Sequence, residues 1–149
     1  MRLAQKRKRL TEVFQAAWAL GNIAGDSPQL RRIVLDADAL PMLVQLLEEQ
    51  CNEYANSRQK SQANLATLRI CIWALSNFCR GSGSRDSLDM HLNQFALPII
   101  TTLLECFRDP EILMDAAWAL SRTLRGITET MPGIVVDHRL AKALMQCLE

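Results

Sequence analysis

Apolar residues recur at steps of three and four over most of this chain, the spacing that places them on one face of an α-helix. The pattern is clearest in three similar stretches built around Trp-Ala-Leu, which hold all of the tryptophans: Trp18, Trp73 and Trp118. No stretch of useful length alternates apolar and polar residues as a half-buried β-strand does. The pattern therefore predicts an all-α protein.

The Trp-Ala-Leu stretches mark an internal repeat. Trp73 follows Trp18 by 55 residues, and the third tryptophan follows after a further 45. Because a helical HEAT or armadillo unit spans about 40–47 residues, the first interval contains an insertion. A second landmark supports the period: Pro41 and Pro98 follow their tryptophans by 23 and 25 residues, and Ala141 occupies the matching position after the third. We expect a right-handed armadillo-repeat superhelix, an α-solenoid of about three repeats whose stacking supplies the core.

Capping signals indicate where several helices begin and end. Ser27-Pro28 and Asp109-Pro110 each combine a side chain that can cap a helix with proline at the first helical position. Gly126 is expected to stop the helix that contains the third tryptophan.

These signals divide the chain into a basic N-terminal arm, residues 1–9, and an armadillo-repeat domain, residues 10–149. The Trp-bearing helices are predicted at about 10–24, 63–79 and 110–124. The other predicted elements are helices at about 28–35, 39–50, 86–93, 95–107 and 139–148, a surface loop at 51–62 and a short segment at 131–137.

The arm holds five of the 17 basic residues and no acidic residue, so the rest of the chain is mildly acidic although the formal net charge is +1. The run Lys6-Arg7-Lys8-Arg9 has two interpretations: a solvated start to the first helix, or a tetrad like that of a nuclear localisation signal. A single tetrad without interleaved aromatic residues does not predict nucleic-acid binding.

The composition excludes several classes of protein. Hydrophobic residues make up 49% of the chain and charged residues 22%, so the chain can bury a core. The five cysteines form no C-x-x-C pair, which predicts buried, reduced thiols and neither a zinc site nor any other cofactor. There is no signal peptide and no apolar run of about 18 residues, so no membrane contact is expected. His91 and His138 lack a nucleophile or ligand partner at a suitable spacing, and an enzyme is not predicted.

Two of the tryptophans precede an asparagine by one helical turn, as Trp18 precedes Asn22 and Trp73 precedes Asn77. Indole faces can hold the aliphatic stems of lysine and arginine and attract their charges. Asparagine amides can bond the backbone of an extended peptide, and nearby carboxylates would select a basic one. The repeated pair therefore predicts a surface for Lys/Arg-rich peptides.

At these residues the chain resembles importin-α (karyopherin-α), the armadillo-repeat adaptor that carries nuclear localisation signals. The stretches at 18–27, 73–81 and 109–121 look like the third, fourth and fifth repeats of that family. The resemblance implies nuclear import of cargo proteins and location in both cytoplasm and nucleus. It also implies a peptide site formed by Gln15, Trp18, Asn22, Asp26, Trp73, Asn77, Arg80, Glu111, Asp115 and Trp118. Within that site, Asp26 matches the acid that pairs with the key lysine of the signal.

The chain departs from the family pattern at three positions near this site. Ile70 replaces an asparagine, Arg122 a tyrosine or asparagine, and Arg125 an acid. Two added cations should repel basic peptides. The alternative function is therefore an armadillo scaffold, or a degenerate or truncated importin-α-like protein, that binds other proteins without cargo import. The arm is too short to serve as the importin-β-binding region, so importin-β is not an expected partner.

The two ends of the predicted array bear on its partners. Val13, Phe14 and Leu20 have no preceding repeat that could cover them all, and the last pair of helices lacks a third helix to close its unit. Exposed apolar patches of that kind usually find a partner. Self-association or marginal stability is therefore expected.

Overall fold

A computed structural model describes residues 3–56, 61–80, 95–130 and 138–148, with the backbone alone for residues 3, 4, 6, 7 and 125–130. Every regular element within these ranges is helical, which confirms the all-α class. The helices are α1 (Leu3–Asp26), α2 (Pro28–Asp36), α3 (Ala39–Asn56), α4 (Gln62–Phe78), α5 (Leu97–Cys106), α6 (Pro110–Thr130) and α7 (His138–Gln146). None of these helices is long and apolar enough to cross a membrane.

The chain divides into two compact units, Met1–Phe78 and Cys79–Glu149. The first contains α1 to α4, and its most extensive packing is that of α1 on α4. Its core includes Leu40 and Leu47 of α3 and Leu68, Ile72 and Leu75 of α4, each at most 1% exposed. The apolar stripe of each helix is therefore buried against another helix, as the three- and four-residue spacing predicts.

The second unit contains α5, α6 and α7. Helix α5 packs against both α6 and α7 and buries Ile100, Leu103 and Leu104 completely. Arg139 at the start of α7 holds Glu105 of α5 through its guanidinium, with Nε 2.8 Å from each carboxylate oxygen. This ion pair fixes the N-terminal end of α7 against α5.

The caps read from the sequence are present. The hydroxyl of Ser27 accepts from the amide of Leu30 at 3.2 Å, with Pro28 at the first position of α2. Asp109 accepts from the amide of Ile112 at 3.2 Å and so begins α6. These bonds satisfy amides at helix starts that have no partner within the helix.

Three predicted boundaries were wrong, each because a helix continues further than its signal suggested. Helix α1 starts at Leu3, since the arm has no glycine or proline and is rich in helix-forming residues. Helix α3 runs to Asn56 through the predicted loop at 51–62, where Cys51 is buried and gains packing. Helix α6 passes through Gly126, a residue that costs about 1 kcal/mol in a helix and can be tolerated. The predicted elements at 86–93 and 131–137 and residues 57–60 lie outside the described residues.

Candidate peptide-binding face

One row of polar and aromatic side chains lines the outer face of α1. Trp18, Asn22 and Asp26 follow one another at single-turn intervals, and all three are exposed. The indole of Trp18 is 48% accessible, far more than a core tryptophan would be. Gln15, three residues before it, is exposed on the same helix. We call Trp18, Asn22 and Asp26 the α1 row.

Two glycines of α1 make a close seat for the residues predicted on α4. A Cβ at Gly21 would lie 2.9 Å from Cε3 of Trp73 and closer still to Cζ3, so the indole rests on bare backbone. One turn later, a Cβ at Gly25 would lie 3.2 Å from Cγ of Asn77. Because position 21 meets 73 and position 25 meets 77, α1 and α4 run in the same direction. The repeated Trp-Asn pair of α4 is thus in register with the α1 row.

The two α4 residues differ in how much surface they offer. Trp73 is half-buried, with part of its ring accessible beside α1. Asn77, expected to line the groove, is only 3% exposed and lies against Gly25 in the packing between the helices. Its amide therefore supports the face from beneath. Ile70, one of the departures from the family pattern, is half-buried on the same helix.

The sequence analysis missed the role of the two glycines. Ala17, Gly21 and Gly25 are spaced four residues apart, so a column of small residues runs along α1. Glycine allows another chain segment to approach the backbone closely. That column could have predicted where a bulky residue of a neighbouring repeat would rest.

The third tryptophan belongs to the second unit and has a different environment. Trp118 of α6 is 54% exposed, and the guanidinium carbon of Arg122 lies 5.3 Å from the centre of its ring. That separation is within the range of a cation–π interaction. The Trp118 face is therefore occupied by a cation from its own helix.

Carboxylates and a second arginine surround this pair. Asp115, half-buried on α6, has its pKa raised by burial, while the charge of Arg122 lowers it and that of Glu111 raises it again. Burial and the charge of Arg80 lower the pKa of Arg122, whereas Asp115 raises it. Glu111 lies exposed in the first turn of α6, and Arg80 is exposed just after α4. Arg122 thus interacts with charges of both signs. The side chain of Arg125 lies outside those described.

No group of three or more His, Cys, Asp or Glu side chains that could hold a metal ion occurs in the described part of the chain. Burial raises the pKa of the Cys71 thiol to about 12 and that of Cys79 to about 11. Buried thiols of this kind are predominantly protonated near neutral pH.

Comparison with known proteins adds the family. No protein-family model matches the chain. Importin subunit alpha-1b of Oryza sativa subsp. japonica is 37% identical over 134 residues, which cover 88% of this chain and 22% of that protein. Importin subunit alpha-2 of Arabidopsis thaliana is 40% identical over 122 residues, 81% of this chain and 20% of that protein. Probable importin subunit alpha-A of Dictyostelium discoideum is 33% identical over 137 residues, 91% of this chain.

The chain belongs to the importin-α family.

Membership in the importin-α family assigns the helices to a repeat architecture. They are armadillo repeats of an α-solenoid. Importin-α proteins are adaptors of nuclear import and are not enzymes. This chain spans about a fifth of the length of the curated relatives named above.

Proposed function

We propose that this importin-α relative binds Lys/Arg-rich peptide segments of cargo proteins along α1 and α4, as an adaptor for import into the nucleus. The observation that carries the proposal is the α1 row: an exposed indole, an amide and a carboxylate on successive turns, beside the half-buried Trp73. Such an adaptor acts in both the cytoplasm and the nucleus.

Each member of the face has a distinct chemical task. The indoles of Trp18 and Trp73 accept the methylene stems of lysine or arginine, and their electron-rich faces attract the cation. The amide of Asn22 can donate to and accept from the peptide backbone, which holds an extended strand without reading its side chains. The carboxylate of Asp26 then pairs with a lysine ammonium group. Buried Asn77, together with Gly25, keeps α4 at the right distance from α1.

The residues of the second unit support a second candidate function. Arg122 covers the ring of Trp118, and Arg80 adds a further cation in its field. A surface with this charge disfavours a basic peptide, although Glu111 and Asp115 belong to the predicted site. If the first unit binds no basic peptide either, the protein is an armadillo scaffold that pairs with other proteins without importing cargo.

Calorimetric titration with a Lys/Arg-rich peptide tests the proposal, with the same peptide carrying alanine at every basic position as the comparison. Asp26→Asn should weaken binding by about 1 kcal/mol, roughly fivefold, the scale of an exposed ion pair. Glu48→Gln is the matched control, because it also removes one exposed carboxylate but lies on α3, which contributes none of the predicted site residues. Affinity should fall as salt screens the charges. Equal binding of the basic and alanine peptides would refute the proposal.

A further inference from the structure

A short apolar slot lies between α1 and α4, next to the α1 row. Gly21 and Gly25 of α1 each meet the α4 residue that lies 52 positions further along the chain, which sets the register of the two helices. The same separation brings Ile70 of α4 level with Trp18 of α1. Trp73, three residues after Ile70, rests on Gly21. We call Trp18, Ile70 and Trp73 the indole slot; all three side chains are at least partly exposed.

The indole slot is formed by two helices that pack directly against each other. The contact of α1 with α4 is the most extensive one in the first unit. In an α-solenoid each repeat contacts only its neighbours, so repeats before α1 or after α4 would stack on the outer sides of these helices. The slot therefore does not depend on which residues precede or follow this chain.

The middle of the slot offers no polar atom to a peptide. An asparagine in place of Ile70, as in the family pattern, could donate to and accept from a peptide backbone, whereas isoleucine presents only hydrocarbon. Ala66, one turn earlier on α4, is exposed and adds only a methyl group. Two indoles with a branched aliphatic side chain beside them favour a large apolar side chain, because its surface is then removed from water.

Charge distinguishes the two ends of the peptide-binding face. Helix α4 has no acidic residue, and its one basic residue, Arg69, is half-buried next to Ile70 and one turn before Trp73. The carboxylate of the α1 row belongs to Asp26, eight residues after Trp18, or about 12 Å further along the helix. A lysine is therefore favoured at the Asp26 end and disfavoured beside Arg69.

We propose that the indole slot holds a large aliphatic side chain of the bound peptide, so that this protein selects segments combining a lysine with an apolar residue over uniformly basic ones. The inference rests on the proposed function, since it concerns the peptide that lies along α1 and α4. The lysine pairs with Asp26, and the apolar side chain packs on Ile70 between the two indoles. The two residues are two positions apart, because alternate side chains of an extended strand face the same way about 7 Å apart, and the long lysine side chain covers the remainder.

Calorimetric titration with matched peptides tests the inference. Two leucine peptides carry leucine two positions before or two positions after a central lysine, and two asparagine peptides of the same charge carry asparagine there. The better leucine peptide should bind at least about fivefold more tightly than its asparagine counterpart, since the leucine buries apolar surface. It should also bind at least as tightly as a peptide with lysine at that position, although it carries one charge fewer.

Variants at position 70 locate the source of this preference. Ile70→Asn should bind the leucine and asparagine peptides equally. Ile70→Thr, which keeps the branched shape and loses hydrocarbon, should reduce the preference in the same direction and serves as the test if Ile70→Asn melts at a much lower temperature. Ile33→Asn is the matched control, because it replaces a 63% exposed isoleucine of α2, away from the slot, and should keep the full preference.

The outcomes separate this inference from the proposed function. Equal binding of the leucine and asparagine peptides by wild type would overturn the inference alone, provided that the uniformly basic peptide still binds better than its alanine counterpart. A leucine preference that persists in both Ile70 variants, or that disappears in Ile33→Asn, would also overturn it. If no peptide binds, the proposed function fails and the inference fails with it.

Discussion

The seat of Trp73 on α1 can be tested by adding a single methyl group at Gly21. The new Cβ of Gly21→Ala would lie 2.9 Å from Cε3 of Trp73, closer to Cζ3, and 3.1 Å from Cα of Ala74. A rigid ring and a backbone atom cannot move aside as the end of a flexible side chain can. Helices α1 and α4 must therefore separate slightly, or the Trp73 ring must turn.

Two opposing effects set the size of the change. Overpacking a well-packed contact by one methyl group costs about 1–3 kcal/mol. Replacing glycine by alanine inside a helix returns about 1 kcal/mol, since Gly21 lies within α1 and its φ is not left-handed. The expected net loss is about 1 kcal/mol, or roughly 2–4 °C in the melting temperature of a chain of this size.

Urea denaturation followed by circular dichroism, together with calorimetric melting, measures this loss. Gly25→Ala is the matched control: its Cβ would meet Asn77 at 3.2–3.4 Å, tight contacts that need only a small adjustment, so stability should stay near that of wild type. Gly21→Ala should also lower the affinity for the basic peptide, because Trp73 would move away from the α1 row. A Gly21→Ala protein as stable as wild type, with unchanged peptide affinity, would refute the described packing of Trp73.

Two further predictions concern the second unit and the thiols. Arg122→Asn should uncover Trp118, so that a Lys/Arg-rich peptide perturbs its indole NMR signal; an unchanged signal would mean that Arg122 does not block that ring. Of the five cysteines, only Cys106 and Cys147 are exposed, so a thiol reagent at neutral pH should label two rapidly in the folded protein and all five after denaturation. Rapid labelling of Cys71, whose pKa burial raises to about 12, would contradict its burial in α4.

The order of the helices could be predicted from the sequence because the repeat carries strong local signals. Two signals mark the repeat: the spacing between Trp18 and Trp73, and the prolines that follow them. Each segment also shows its own helical periodicity, which can be read without knowledge of tertiary contacts. Helix ends were less predictable, since a helix continues wherever tertiary packing compensates for a weak residue. Cys51 illustrates this: it is buried, and α3 continues through it to Asn56.

The candidate site was predictable in its exposed half and less so in its buried half. The four-residue spacing of Trp18, Asn22 and Asp26 on one helix predicts that their side chains share a face. The burial of Asn77 depends on which face of α4 meets α1, and a single sequence does not specify that contact. Likewise, the position of Arg122 over Trp118 follows from their four-residue spacing, but the choice of rotamer depends on the surrounding charges.

The central claim is that a basic peptide binds along α1 and α4, and the indole N–H signals of the three tryptophans test it most directly. Two-dimensional NMR can follow these signals during titration with a Lys/Arg-rich peptide, once single Trp→Phe variants have assigned them. The account predicts saturable shifts of Trp18 and Trp73, a much smaller shift of Trp118, and none with the alanine peptide. Shifts confined to Trp118, or no shift of any indole at saturating peptide, would contradict it.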